Sequence, residues 1–274
     1  MQYESAIEEL SERYRRIFSE KDTEPCWAYR KSNDASKLIH CPIPFVGKNY
    51  FTQPVKVLMY ASAENLSKYD GYLDDDEVAI NRHRSFFERS VKENNTYFPN
   101  VHIEPISNGA LALCALHILS RISDVGDISP SDFLETIAFG NYAKFTICPE
   151  NKRYNVDYAC NCDYLSYSQP YVAADLEVLK PDYIIMVRSM YLGQGKQRDF
   201  VDRHKGNAKV IPIYQMSPRT INTGRLFESC EPPAPGTLHP TVMEWYSHFC
   251  PKSISRQRFL PVFTYLDEVL KGVL

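Results

Sequence analysis

Apolar residues recur along this chain with a helical period in some stretches and as continuous runs in others. Near the start, the positions that fall on one helical face are Ile7, Leu10, Tyr14, Ile17 and Phe18. Their spacing of three or four residues predicts a helix over residues 3 to 20. The same kind of spacing predicts helices over residues 108 to 122 and from Ser255 towards the C-terminus.

The continuous apolar runs are short and predict buried strands. They cover residues 55 to 61, 182 to 187 and 209 to 213, and a further strand with its exit loop is predicted over residues 137 to 147. Pro212 cannot donate a ladder hydrogen bond, so the last strand is predicted to lie at an edge or to end there. A further helix is predicted to begin at Ser168-Gln169-Pro170 and to stop at Lys180-Pro181.

Strands that alternate with helices favour a parallel sheet covered on both faces. The prediction is therefore an α/β fold, a three-layer α/β/α arrangement with a central, mostly parallel four-stranded sheet. Residues 1 to 274 are predicted to form a single domain with an N-terminal helical extension at about residues 1 to 50. Ligands of such sheets bind at the carboxyl ends of the strands. That rule selects three loops, at residues 62 to 65, 139 to 144 and 214 to 219.

Charge and composition narrow the class of partner. The net charge is -3 and the isoelectric point is near 6.2, whereas proteins that grip long duplex DNA usually carry a basic surplus. A nucleic-acid site is thus expected to be a local patch or to take a small or single-stranded ligand. The chain has eight cysteines, no export signal and no run apolar enough to cross a membrane. We expect a cytoplasmic protein with reduced thiols, and its oligomeric state stays open.

The residue types that hold metals are present, but their spacing is not typical of a metal site. Five acidic groups lie between residues 70 and 77, yet they do not match a calcium loop and are typical of a solvated loop or helix start. The cysteines are interpreted as free, buried thiols. The alternative is an iron–sulphur cluster bound by four of Cys26, Cys41, Cys148, Cys160 and Cys162. A Cys-x-x-Cys pair near the N-terminus is missing, and His239 and His248 do not complete a zinc set. No metal and no cofactor are predicted.

Three segments, in order along the chain, resemble motifs of the uracil-DNA glycosylase superfamily. Residues 57 to 65 resemble the strand and loop that position the hydrolytic water, and residues 137 to 145 resemble the motif whose asparagine reads the uracil edge. Residues 210 to 219 resemble the last motif, which normally reads His-Pro-Ser-Pro. Residues 169 to 182 match the helix-then-strand element common in this group. The resemblance covers about residues 50 to 220.

The resemblance implies a role for each segment, because a glycosylase extrudes the target base into a pocket before it cleaves the N-glycosidic bond. The implied catalytic residues are Glu64, Asn65 and Gln215, which would orient water and stabilise the leaving base. The implied base-binding residues are Ser62, Ala63, Asn141 and Tyr72. The implied DNA-binding residues are Ser217, Pro218 and Arg219, which repeat the Ser-Pro-Arg of the single-strand-selective branch.

Each assignment has a simpler alternative. Asn141 could cap a turn after its strand, and the segment from Ser217 to Arg219 could be an ordinary turn with an exposed arginine. Tyr72 is one of nineteen tyrosines, so its place after the first loop could arise by chance.

The sequence departs from the family pattern at two of the three motifs. Gln215 stands where the histidine belongs, and Met216 follows it where the proline belongs. The first loop has Ser62 and Ala63 where many members place an acidic or amide residue. The expected function is therefore a divergent DNA glycosylase that excises uracil or another modified base, acting on single-stranded or mismatched DNA. The alternative is a catalytically inactive glycosylase-fold protein that binds single-stranded nucleic acid or a nucleotide.

An unrelated α/β hydrolytic enzyme is a third class to consider. Such enzymes commonly carry a Gly-x-Ser-x-Gly nucleophile turn or a glycine-rich phosphate loop, and this sequence has neither.

Overall fold

A computed structural model describes residues 2–20, 41–63, 80–81, 84, 107–144, 165–216, 218–223, 225–248 and 256–274. The described strands are β1 (Phe45–Val46), β2 (Val57–Ala63), β3 (Ala138–Ala143), β4 (Tyr183–Val187) and β5 (Lys209–Ile213). The described helices are α1 (Gln2–Glu20), α2 (Ser107–Ile122), α3 (Pro130–Leu134), α4 (Gln169–Leu179), α5 (Arg188–Tyr191), α6 (Arg198–His204), α7 (Pro218–Thr223), α8 (Pro240–His248) and α9 (Arg256–Lys271).

The strands form one mostly parallel sheet in the order β1-β3-β2-β4-β5. The four longer strands run parallel to one another, and β1 pairs antiparallel with β3. The α/β class is thus confirmed, with one strand more than the four expected. That extra strand is only two residues long, too short to produce a recognisable alternation.

Side-chain alternation along the strands gives the sheet two buried faces. Met59 and Ala61 of β2 contribute to one core, which is completed by helices α2, α8 and α9. Leu58 and Tyr60 contribute to the other, together with side chains of α1 and α4. Helix α1 lies against α4 through buried side chains that include Leu10 and Tyr14. Both faces of the sheet are therefore covered, as its continuous apolar strands require.

Several predicted boundaries agree closely with the structure. Strand β5 spans the predicted residues and occupies the end of the described sheet, consistent with Pro212. Helix α4 ends at Leu179, where Lys180 adopts a left-handed conformation with φ 46° before Pro181. Strand β2 continues to Ala63, two residues beyond its predicted end at Ala61. No described helix has the length and apolar content needed to cross a membrane.

Helices α2 and α9 are joined by a cluster of charged side chains at the rim of the first core. Arg121 donates two hydrogen bonds of 2.9 Å to the Asp267 carboxylate, and His117 Nε2 lies 2.9 Å from Asp267 Oδ1. A carboxylate only accepts, so Nε2 carries the proton and donates it. Burial raises the pKa of Asp267, but the hydrogen bonds from His117 and Arg121 outweigh burial and hold its pKa below the usual value.

We expect Asp267→Asn to lower the free energy of unfolding by about 1–2 kcal/mol at pH 6, because charge-assisted hydrogen bonds are lost. The carboxylate's contribution is present above its unfolded pKa of ~3.9 and is lost as the pH falls through the lower folded value. The difference in free energy of unfolding between wild type and variant, measured with urea, should therefore shrink as the pH is lowered from about 5 to about 3, where aspartate carboxylates become protonated. An equal difference at both pH values would contradict this assignment.

Candidate functional site

The carboxyl ends of the four parallel strands lie along one edge of the sheet. Tyr60 of β2 pairs in register with Gly140 of β3 on one side and with Met186 of β4 on the other. Met186 in turn pairs with Pro212 of β5. Of the three segments expected to be loops, only that at 214 to 219 follows its strand, β5. The other two expectations are corrected, because residues 62 and 63 still belong to β2 and residues 139 to 143 to β3. All three segments nevertheless lie at the edge where ligands of parallel sheets bind.

The first predicted loop begins inside strand β2 rather than after it. Ser62 is half-buried, and its hydroxyl oxygen is inaccessible to solvent with no hydrogen-bond partner among the described residues. A buried hydroxyl without a partner costs free energy, so it marks a place where a ligand or water can gain a hydrogen bond. Ala63 ends the strand opposite Ala143. Glu64, Asn65 and Tyr72 lie outside the described residues, so their roles stay predictions.

Asn141 lies within strand β3, in register with Ala61 of β2. It is 9% exposed and falls on the same face as Phe139, towards the first core, whereas Ser62 shares a face with Tyr60. The simpler alternative, a turn cap, does not describe this position, because Asn141 is a paired strand residue. Ser62 and Asn141 thus reach the same edge from opposite faces of the sheet.

Gly140, the residue before Asn141, has little space for a side chain. A Cβ at this position would lie 3.2 Å from Pro44 Cβ and 3.8 Å from Lys144 Nζ. The contact with Pro44 is tight, so a larger side chain would require Pro44 to shift by a few tenths of an ångström. The contacts that restrict this position are thus with the protein itself.

The last predicted segment follows strand β5 at the same edge. Gln215 is half-buried, two residues beyond Ile213, and Met216 after it is fully buried. Strands β2 and β4 separate β3 from β5, which places the strand of Asn141 and that of Gln215 roughly 14 Å apart. Ser217 is outside the described residues, and helix α7 begins at Pro218 and continues through Arg219. One ligand could be reached from both strands only if it lies across β2 and β4.

A buried ion pair that sequence reasoning did not identify lies behind this edge. Lys144, the residue after β3, places its Nζ 2.7 Å from Asp175 Oδ2 of helix α4, and the two side chains are 2% and 0% exposed. Tyr14 donates to Asp175 Oδ1 and Tyr60 to Asp175 Oδ2, both at 2.8 Å. Burial, and then the charge of Asp175, raises the pKa of both tyrosines, so the hydroxyls stay protonated and donate. These groups satisfy one another and are closed to a ligand.

A second polar network holds the loop between α5 and α6 against the same strand end. Tyr142 and Gln169 both donate to Gln197 Oε1 at 2.9 Å, and Gln197 Nε2 donates to the Gly195 carbonyl at 2.7 Å. A Cβ on Gly195 would lie only 2.7 Å from Met190 Cα, so the loop must pass this close. The loop is thereby fixed relative to β3. A glutamine so far along the chain from β3 gives no sequence signal of this role.

The described side chains provide no metal site. No group of three or more histidine, cysteine, aspartate or glutamate residues is arranged around a common point in the described part of the chain. Within that part, Cys41, Cys114 and Cys230 are buried, and Cys114 and Cys230 are free thiols. Burial raises the pKa of Cys114, which keeps this thiol protonated. Cys26, Cys148, Cys160 and Cys162 lie outside the described residues.

The chain was compared with protein-family models, with curated proteins and with solved structures, and none of the three comparisons found a match.

Proposed function

We propose that the protein is a divergent DNA glycosylase that binds a base extruded from single-stranded DNA at the carboxyl edge of its sheet and hydrolyses the N-glycosidic bond slowly. The observation that supports this most is the common edge. The strands of the first and middle motifs are direct neighbours, with Ala61 opposite Asn141, and the last motif leaves β5 at the same edge. A base that lies across the carboxyl ends of β2 and β4 could be reached from the strands of all three motifs.

In the proposed reaction, water adds its hydroxyl group to the anomeric carbon of the sugar while the bond to the base nitrogen breaks. The bonding electrons leave with the base, which takes up a proton. Glu64 or Asn65 would orient the water, and a carboxylate there would also balance the positive charge that develops on the sugar. Gln215 would donate a neutral hydrogen bond to the leaving base. Asn141 would read the edge of the base, since its amide both donates and accepts.

Binding without cleavage is the second candidate function. Gln215 cannot bear a positive charge, and Lys144, the buried lysine that directly follows β3, is already paired with Asp175. The overall charge of -3 further limits contact with many phosphates. A protein of this kind would hold the base or nucleotide and release it unchanged.

A panel assay separates the two candidates. Single-stranded oligonucleotides carrying uracil, hypoxanthine or other modified bases are incubated with excess protein, and abasic product is measured by alkaline cleavage. Product from one of them supports a glycosylase, and affinity for a modified base without product supports the binding protein. If neither product nor preferential binding is found for any base, the proposal is wrong.

We expect Asn141→Asp to reduce excision, or binding of the base, by about tenfold or more. The near-isosteric carboxylate keeps an acceptor but loses the amide donor, so one hydrogen bond to the base edge is lost and a polar group on the base is left unpaired. Asn49→Asp is the matched control. Asn49 is exposed and comes before strand β2, whereas the candidate site lies at the carboxyl end of that strand. Both variants are assayed on the panel, with thermal unfolding as a check on folding. Equal activity of the two variants would remove Asn141 from the site.

A further inference from the structure

An arginine at the same edge is held in place by an aromatic cluster. Arg188 is exposed and directly follows Val187, whose partner in the sheet, Ile213, is directly followed by Tyr214. The Arg188 guanidinium carbon lies 5.7 Å from the centre of the Tyr214 ring, within the range of a cation–π contact. The two residues are thus adjacent because their strands end side by side.

The tyrosine beneath this arginine is itself fixed. Its ring stacks on that of Tyr265 of helix α9, with centroids 5.1 Å apart and an interplanar angle of 21°. The Tyr214 backbone N–H donates to the Tyr265 hydroxyl at 3.1 Å, and the Phe227 ring packs edge-on at 6.1 Å. Aromatic contacts on two sides and a backbone hydrogen bond leave Tyr214 little freedom. A guanidinium resting on it loses less entropy on binding a ligand than one on a free side chain.

Arg188 also differs electrostatically from its neighbours. No carboxylate among the described residues pairs with it, whereas Arg198 on the following helix pairs with Asp202 at 3.5 Å. In a protein of net charge -3, an exposed guanidinium without a described carboxylate partner makes this edge of the sheet locally positive.

We infer that Arg188 binds a phosphodiester group of single-stranded nucleic acid that enters the carboxyl edge. A guanidinium presents planar N–H donors that match phosphate oxygens, and its contact with the Tyr214 ring leaves those edge donors free. The inference rests on the proposed function in one respect, since both place single-stranded nucleic acid at this edge of the sheet. It adds a contact that none of the three motifs contains.

Binding of an unmodified strand tests the inference. The probe is a fluorescein-labelled oligothymidylate of about a dozen nucleotides, titrated with the protein and followed by anisotropy at several salt concentrations. We expect Arg188→Ala to weaken binding about fivefold and to lower the slope of log affinity against log salt by about 0.7, the share of one phosphate on a single strand. Arg188→Lys should preserve that slope, because it retains the charge.

The matched control is Arg16→Ala, which removes the same charge from an exposed position on α1, a helix that packs against α4. It should leave affinity and slope unchanged. The inference is overturned if Arg188→Ala and Arg16→Ala behave alike, or if the wild-type protein shows no anisotropy change at low salt. Since the probe holds no modified base, loss of the Arg188 effect with base excision intact would refute only this inference. Arg188-dependent binding without release of any base from the panel would instead refute the hydrolysis.

Discussion

Asp175→Ala is expected to lower the free energy of unfolding by about 3–5 kcal/mol, the range measured when one partner of a buried ion pair is removed. The change would leave the Lys144 ammonium, which is 2% exposed, without its carboxylate. The hydroxyls of Tyr14 and Tyr60 would lose their acceptor as well. Urea unfolding, followed by circular dichroism, measures the loss.

Two further variants make this prediction specific. Glu177→Gln, on the same helix, removes a carboxylate that pairs with Arg13 while 53% exposed, so its effect should stay within about 1 kcal/mol. The double variant Lys144→Met with Asp175→Asn removes both charges and keeps one amide oxygen as an acceptor for one of the two tyrosine hydroxyls, so it should be more stable than Asp175→Ala. If Asp175→Ala costs no more than Glu177→Gln, the pair does not stabilise the fold as described.

Gln215→His is expected to raise uracil excision from single strands by up to about a hundredfold over a weak or absent wild-type activity. A charged or strongly polarised donor to a leaving anion is worth about 3 kcal/mol of transition-state stabilisation, and a neutral glutamine recovers only part of it. Gln215 is half-buried in the segment that follows β5. Single-turnover cleavage of a uracil-containing strand gives the rate.

The companion change is Glu64→Gln, which should lower any wild-type activity if Glu64 orients the water. Gln2→His serves as the control, since it introduces the same imidazole at an exposed position on helix α1. A degenerate glycosylase is supported if activity falls with Glu64→Gln, rises with Gln215→His and does not change with Gln2→His. Brisk wild-type cleavage that neither change affects would mean that the catalytic groups lie elsewhere.

The elements that local pattern specifies were predicted well. The apolar run at 209 to 213 became β5 without change, and Pro170 and Pro181 bracket helix α4 as their backbone chemistry requires. Strand β1 and the helices α3, α5, α6, α7 and α8 were not predicted. They have two to nine residues each, which span too few periods for hydrophobic spacing to be recognised.

The candidate site was predicted only as far as the edge of the sheet. Alternation of strands and helices implied a parallel sheet, and a parallel sheet implies that the loops after β2, β3 and β5 share one edge. Asn141 was expected near a loop and lies within a strand, because the polar end of β3 is still paired with β2. Its placement depends on where the ladder ends, which no local pattern encodes.

What the sequence determined by itself was the α/β class, the positions of the longer elements and the edge of the sheet at which the candidate residues lie. Only the tertiary structure decided which polar side chains are bound to other side chains of the protein and which remain exposed to a ligand. Asp175 lies 31 residues beyond Lys144 and 161 beyond Tyr14, and the three become partners only when α1 and α4 close over one face of the sheet. Arg188 and Tyr214 meet because β4 and β5 end side by side. Burial and pairing are properties of such distant contacts, so the same residue types could not be sorted into structural and exposed groups until the chain had folded.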